Sequence, residues 1–449
     1  MTTLDHRYAT RAVPRYTSYP TAPHFHAGVN GETLGGWLGE LAPETALSLY
    51  LHVPYCRTIC NYCGCHTKGA LRDDPVIAYA QTLLDEVALV ADRLGRRRPV
   101  THIHWGGGTP SLLPRAHFLK IVAALKNRFA LSPDCEHAIE LDPRTVTSDL
   151  AETLREAGIT RASLGVQDFD PVVQKAIGRI QPFEQVERAV AHLRAAGIEA
   201  INFDLMYGLP HQTLDSIAET IRLTQLLRPG RIALFGYAHV PWFKKHQRLI
   251  DEAALPGASE RIEAADFARA ELASAGYEAI GLDHFALPDD SMAIAYREGR
   301  LRRNFQGYTT DTADALIGLG CSSIGRLPEG YVQNQPDVGG WTRAVAAGEL
   351  PVARGIALNA DDRARAEIIE RLMTDHRVDV AEVAAHHGFA VDHFAESFDA
   401  LAEMVRDGLA IIEENRVAVT QEGQRYARIA AAAFDAYLAA GAARHSVAV

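Results

Sequence analysis

One recurring pattern limits what this chain can fold into more than any other. From about residue 47, a short β-branched or aromatic run ends in Gly, Pro or a polar residue, and a helical stretch follows. The runs are LSLYLHVP (47–54), THIHWGGG (101–108), HAIELDP (137–143), RASLGVQDF (161–169), AINFDLMYGLP (200–210) and IALFGYAHVP (232–241). Between them stand helical patterns such as 76–95 and 183–197, whose apolar residues recur at three- and four-residue steps before a glycine. The stretch 148–158 has the same grammar, with Ser148 as its expected N-cap. Strand–helix units in series predict an α/β fold, a parallel sheet covered by helices and joined by right-handed crossovers.

An open doubly wound sheet satisfies this pattern, and so does a partial (β/α)6 TIM-like barrel. The barrel is favoured because each run ends in polar residues or glycine: His52, Gly106 to Gly108, Glu140, Gln167, Asp204 and His239. In βα barrels the C-terminal strand ends line one mouth, where the chemistry sits. Six units leave a barrel open on one side. Other segments must then cover the gap, and a bulky ligand has room to enter.

Three parts are expected. Residues 1–46 hold PRYTSYPTAPHF, rich in Pro, Thr and Tyr, and read as an extended arm. Residues 47–354 form the catalytic domain. Residues 355–449 read as mainly helical, with helices over 361–373 and 394–409 and a hairpin over 410–423, a winged-helix-like order. That fold commonly binds DNA, but fold alone assigns no function. This segment is not notably basic, so a structural or lid role is expected.

The chain has 449 residues, nearly half of them apolar, and a formal net charge of −11. Such a chain builds a sizeable core, and its acidity argues against general nucleic-acid binding. No apolar run reaches signal-peptide or membrane-spanning length, so the expected location is the cytoplasm. There, clustered cysteines bind metal or do redox work more often than they form disulfides. Cys135 and Cys321 stand alone and read as incidental thiols. Of two basic runs, RLGRRRP (93–99) reads as a solvated helix end, and FKKHQR (243–248) as a candidate contact for an anionic substrate.

The stretch CRTICNYCGC (56–65) holds four of the six cysteines. Asn and Gly argue against a helix that buries the thiols on one face. A zinc ion wants four ligands, commonly two separated pairs, and one ten-residue segment wraps it awkwardly. An iron–sulfur cluster fits better, since compact spacing lets a loop surround a cubane. Three ligands at Cys56, Cys60 and Cys63 would leave the fourth iron open to a reactant.

C-x3-C-x2-C at the first strand end, with Tyr62 before the last cysteine and WGGGTP (105–110) at the second, resembles the radical S-adenosylmethionine (SAM) enzymes. The resemblance narrows with PRYTSYPTA, YLHVPYCRTICNYCGC, HWGGGTP, IELDPR, LGVQDFD, NFDLMYGLP, GYAHVP, GLDHFALPDD and RNFQGYTT, in this order. Together these resemble the oxygen-independent coproporphyrinogen III oxidases, or coproporphyrinogen dehydrogenases, over most of the chain. The resemblance implies a 4Fe-4S cluster on Cys56, Cys60 and Cys63. It implies a SAM-derived deoxyadenosyl radical that takes hydrogen from the β-carbon of two propionates. Coproporphyrinogen III then loses two CO2 to give protoporphyrinogen IX.

The resemblance further implies two SAM molecules. The cluster-bound one would touch Tyr50, Gly107, Glu140 and Ile324; the second would touch Tyr62, Gly108, Thr109, Gln167, Arg179, Asp204 and Ala238. Cys65, Tyr62 and Arg15 are the candidates for direct part in the reaction, Cys65 as a nearby non-ligand. Arg15, Lys244, Lys245, Arg302 and Arg303 are candidate cations for the propionates. An electron donor such as flavodoxin or ferredoxin, an unidentified acceptor and a monomeric state complete the expectation. The main rival is a haem-binding chaperone of the same superfamily, which typically lacks the fourth cysteine and the PRYTSYP arm. A haem-degrading radical methyltransferase is the third reading.

Overall fold

The computed structural model describes residues 7, 8 and 10–438. The parts of the expected arm and C-terminal domain at 1–6, 9 and 439–449 lie outside the described residues. The six expected strands form as β1 (Leu47–Val53), β2 (Pro99–Gly107), β3 (Ala130–Leu141), β4 (Arg161–Gln167), β5 (Ala200–Tyr207) and β6 (Arg231–Gly236). Each is parallel to the next, in chain order. Parallel strands with helices outside are buried on both faces, so β1 reads as a continuous apolar run. Its Leu47, Leu49, Leu51 and Val53 are fully buried, each contributing roughly 1.5–3 kcal/mol.

The crossover helices obey the local signals. Asp74–Leu94 and Ser148–Ala157 stop at Gly95 and Gly158, whose φ values of 68° and 87° suit glycine. Ser148 is the first helical residue and not the cap. The Thr147 hydroxyl accepts from the Leu150 N–H at 3.2 Å.

The sheet continues past the six strands to twelve. Ala315–Leu319 adds parallel to β1, and three antiparallel strands at 324–327, 330–334 and 352–357 follow it. At the other end, His284–Ala286 and Glu278–Ile280 pair antiparallel beyond β6. Two edges remain, so the barrel is partial. Its curl is evident because residues of all six parallel strands line one interior cavity of about 290 Å³. A flat sheet cannot bring β1 and β6 to a common space. Tyr308, Thr309 and Asp311 also line that cavity, so the segment after the Arg302–Asn304 strand covers the open side.

The C-terminal part has helices at Ala360–Thr374, Val380–His386 and Ala395–Arg406, then a hairpin of Ala410–Glu413 and Arg416–Val419. Arg377–Asp379 joins the hairpin as a third strand. The helix–hairpin order matches the winged-helix-like expectation. The arm does not stand apart from it. Tyr8, Val13, Tyr16 and Tyr19 are buried in the same apolar cluster as Ile368, Leu372, Phe394 and Phe434. Polar contacts fix the arm: Tyr8 Oη donates to Asp407 at 2.6 Å, and Arg428 donates to the Val13 and Pro14 carbonyls at 2.7 and 3.1 Å. No described helix is long and apolar enough to cross a membrane.

Candidate active site

The cysteine loop leaves β1 at Val53 and returns at Ala70, whose N–H donates to the Cys56 carbonyl at 2.9 Å. Its inner turn is clamped by the basic run at 243–248. Lys244 Nζ donates to the Cys65 carbonyl at 2.8 Å, the His246 ring to that of Cys63 at 2.6 Å, and Gln247 to that of Tyr62 at 2.8 Å. Lys244, expected to meet an anionic substrate, instead positions the loop. Lys245 is exposed, and Arg302 pairs with Glu370 at 3.6 Å.

The glycines at and just after the end of β2 explain how the loop sits so close to the sheet. A Cβ at Gly107 would lie 2.5 Å from the His52 ring, and one at Gly108 would lie 2.5 Å from the Tyr55 carbonyl. Gly107 also has φ of 109°, a region closed to most side chains. His52 is buried, which draws its pKa down to about 4 and keeps the ring neutral. Its Nε2 faces the His66 carbonyl at 3.0 Å, so that nitrogen carries the proton. Nδ1 therefore accepts from the Tyr50 hydroxyl at 3.0 Å.

Cys56, Cys60, Cys63 and Cys65 all line one cavity of about 340 Å³. Arg15, Tyr62, Gly107, Gly108, Thr109, Glu140, Gln167, Arg179, Asp204 and Ala238 share its wall. Tyr50 stands just behind it, its ring 3.0 Å from where a Gly106 Cβ would be. Ile324 is outside the lining residues and packs with Phe25, Tyr331 and Ile356. His239 lies beyond the end of β6 and bonds Tyr237 and Glu252.

The thiols receive donors. Thr109 Oγ1 donates to Cys56 Sγ at 3.5 Å, Arg179 Nη1 to Cys60 Sγ at 3.4 Å, and Arg144 reaches the same sulfur at 3.9 Å. Asp142 sits between the two arginines, 2.6 Å from Arg144 and 3.4 Å from Arg179. The Cys65 thiol donates toward Cys63, which draws the Cys63 pKa down to about 6 against its burial. Burial pushes Cys56 up to about 11. Arg179 is expected to touch the second SAM. Here its Nε and Nη2 hold the Gly165 carbonyl at 3.1 and 2.6 Å.

Two carboxylates face the thiols across the cavity. Burial works against ionisation of Glu140, but His104 at 3.2 Å and the Gly107 N–H at 3.1 Å hold its pKa below the usual value. Burial, reinforced by the Glu140 charge, pushes Asp204 up to about 7. Gln167 ends β4 at φ of 70°, a strained backbone for a non-glycine residue and a common mark of a functional position.

The donor set suits an iron–sulfur cluster and SAM. A tetrahedral zinc would draw its ligand sulfurs together, with Zn–S near ~2.3 Å. Among the described residues, the group of three such ligands with atoms within 4.8 Å of one another is Glu367, His386 and His387, on the C-terminal part. No three of the loop thiols gather within 4.8 Å of one another.

The comparisons agree with this geometry. Residues 50–224 match the Radical SAM superfamily and residues 358–426 the HemN C-terminal domain. An oxygen-independent coproporphyrinogen III oxidase of Bradyrhizobium diazoefficiens is 50% identical over 442 residues, covering 98% of each chain. This chain belongs to that family. A relative from Paracoccus denitrificans with the same name is 42% identical, covering 97% of this chain and 96% of its own. The solved structure titled "Coproporphyrinogen III oxidase (HemN) from Escherichia coli is a Radical SAM enzyme" superposes with a TM-score of 0.91. It has 36% identity and covers 95% of this chain and 100% of that one. Membership makes this chain a radical SAM enzyme, an oxidoreductase with a 4Fe-4S cluster and SAM as cofactors.

Several residues of the site escaped the sequence reading. Asp142 and Arg144 stand in the quoted IELDPR motif, directly after β3, yet were given no role. His104 was hidden inside an apolar-looking strand. His246 and Gln247 lay in a run read for charge and not for its carbonyl-binding donors.

Proposed function

We propose that the chain carries out oxygen-independent oxidative decarboxylation of coproporphyrinogen III, turning two propionates into vinyl groups and yielding protoporphyrinogen IX. The observation that carries this reading is one cavity where the cysteine loop, the polar strand residues and Arg15 of the arm converge. Cys56, Cys60 and Cys63 would hold the cluster. When bound, the cluster and SAM supply a carbon radical able to take hydrogen from an unactivated C–H bond, which acid–base residues cannot do.

The chain's own residues bind, orient and exclude. Thr109, Arg144 and Arg179 stabilise negative charge on the sulfurs. Tyr50, Gly107 and Glu140 would surround the cluster-bound SAM. Tyr62, Gly108, Thr109, Gln167, Arg179, Asp204 and Ala238 would surround a second. Carboxylates such as Glu140 and Asp204 accept from ligand ammonium or hydroxyl groups. Arg15 would face a propionate, and Cys65 would act beside the cluster without ligating it. For each vinyl formed, the propionate loses a hydrogen atom, CO2 and one electron. A flavodoxin- or ferredoxin-like donor would reduce the cluster, and a separate acceptor would take the substrate's electron. We further infer a cytoplasmic monomer with an arm (1–46), a catalytic domain (47–354) and a C-terminal domain (355–449).

The test is anaerobic incubation of the reconstituted protein with coproporphyrinogen III, SAM and a reductant. Protoporphyrinogen IX and 5′-deoxyadenosine should both form. Stoichiometric haem binding with no protoporphyrinogen IX would overturn the reading.

A further inference from the structure

Beside the cysteine chamber lies a second cavity of about 410 Å³. Six arginines line it: Arg15, Arg261, Arg269, Arg303, Arg425 and Arg428. They face two carboxylates, Asp266 and Asp283. Both carboxylates are already engaged. Asp266 accepts from Arg425 at 2.9 Å, and Asp283 pairs with the His284 ring at 2.8 Å.

The other arginines are held in place by carbonyls and rings, with Asp283 as a countercharge shared by Arg15, Arg269, Arg303 and Arg428. Arg269 donates to the Gly281 and Leu282 carbonyls at 3.2 and 3.1 Å, and Arg428 to the arm carbonyls of Val13 and Pro14. Among the described lining residues, six guanidinium groups stand against two carboxylates. Arg261 lies over the Tyr207 ring, 5.8 Å from its centroid. Arg303 leaves its buried Nε and Nη1 without a hydrogen-bond partner. Burial, together with Arg15 and Arg303, draws the pKa of Arg428 down to about 10. Gathering like charges this closely costs free energy, and an anion entering the cavity offsets that cost.

The two cavities adjoin, since Arg15 and the segment Phe235–Ala238 line both. A molecule with its reacting carbon in the cysteine chamber has its far side here. We propose that this arginine-lined cavity binds the carboxylate side arms of the tetrapyrrole that are not reacting, with Arg261, Arg303 and Arg15 as the recognising groups. The inference rests on the decarboxylase reading above. Planar guanidinium forks match carboxylates in two-point contact. The aromatic wall of Tyr207, Phe235 and Tyr237 supplies apolar surface for a ring beside them. The arm and the C-terminal part thereby acquire a task in substrate selection.

The experiment compares porphyrin binding by the reconstituted holoenzyme and its variants. The probe is coproporphyrin III, followed by fluorescence, with its tetramethyl ester as the same ring without charge. Arg261→Gln and Arg303→Gln should each weaken coproporphyrin III binding about ten-fold, the size of one charge-assisted contact. They should raise KM more than they lower kcat, and leave cluster iron and SAM binding as in the wild type. Arg261→Lys should retain part of the affinity. The unmodified enzyme should bind the free acid far better than the ester, and less well as salt rises. Equal affinity for acid and ester, or both Gln variants binding like the wild type, would overturn the proposal. A wild-type enzyme that binds coproporphyrin III but never converts coproporphyrinogen III sinks the decarboxylase reading instead, and the same binding comparison still decides the cavity.

Discussion

The Arg179 guanidinium stands 3.4 Å from the Cys60 sulfur while two of its nitrogens grip the Gly165 carbonyl at the far end of β4. The strand thus holds a fixed positive charge against a cluster ligand. A donor and cation beside a thiolate favour the more negative, reduced cluster. Arg179→Gln should lower the midpoint potential by on the order of 50 mV, about 1 kcal/mol for a one-electron couple. Arg179→Lys should shift it less. Redox titration followed by electron paramagnetic resonance measures this, with iron and sulfide content as the control. An unchanged potential in the Gln variant would show that the contact has no electronic effect.

The four cysteines of the loop should separate into two classes. Single replacement of Cys56, Cys60 or Cys63 by Ala should abolish cluster assembly, read as iron and sulfide per chain after anaerobic reconstitution. Cys65→Ser should keep the iron but slow turnover, since that side chain sits on the cavity wall and bonds Cys63. Loss of iron in Cys65→Ser would make it a ligand.

Gly108→Ala places a methyl group 2.5 Å from the Tyr55 carbonyl, a contact that backbone must move to relieve. The expected cost is about 1–3 kcal/mol in unfolding free energy, with loss of cluster iron as the loop is pushed off β2. Gly36 is the control. It lies inside the helix Gly31–Glu40 with nothing within 4 Å of an added Cβ. Gly36→Ala should stabilise by roughly 0.5–1 kcal/mol. Chemical denaturation of both variants checks the pair, and equal effects would remove the packing argument.

Burial, then the neighbouring Glu140 charge, raises Asp204 to about 7. Its ionised form, the better acceptor for a ligand hydroxyl or ammonium, therefore prevails only above that pH. SAM affinity should rise between pH 6 and 8, and binding should draw the proton off. Asp204→Asn should bind more weakly at pH 8 and lose this dependence. Calorimetric titration at the two pH values is the measurement; the same slope in the Asn variant would assign the titration to another group.

The barrel was legible because its strands are buried on both faces and end in residues no core would choose. Glu140, Gln167 and Asp204 announced themselves by breaking an apolar run. The start of β3 was not legible, because SPDCEH carries a proline and two acids that argue against a strand. The short antiparallel strands after Gly307 gave too few residues for a period to register. Of the arginines in the arginine cavity, only Arg15 and Arg303 were marked in the sequence, as candidate cations, and the cavity itself was not legible. Its arginines come from the arm, the helix Ala258–Ser274, the strand at 302–304 and the C-terminal residues 425–428. Each arginine alone looks like ordinary surface charge. Only the tertiary fold brings them together.

The seating of Tyr8, Val13, Tyr16 and Tyr19 among C-terminal residues has a consequence for how the molecule comes into being. These tyrosines leave the ribosome well before Phe394, Tyr426 and Phe434, which bury them. Throughout synthesis the barrel domain is free to form, while the arm waits without its partners. Arg15 reaches its place only after these C-terminal residues have emerged. A change that displaces Tyr8 to Tyr19 would therefore damage the C-terminal part, and the arginine cavity with it.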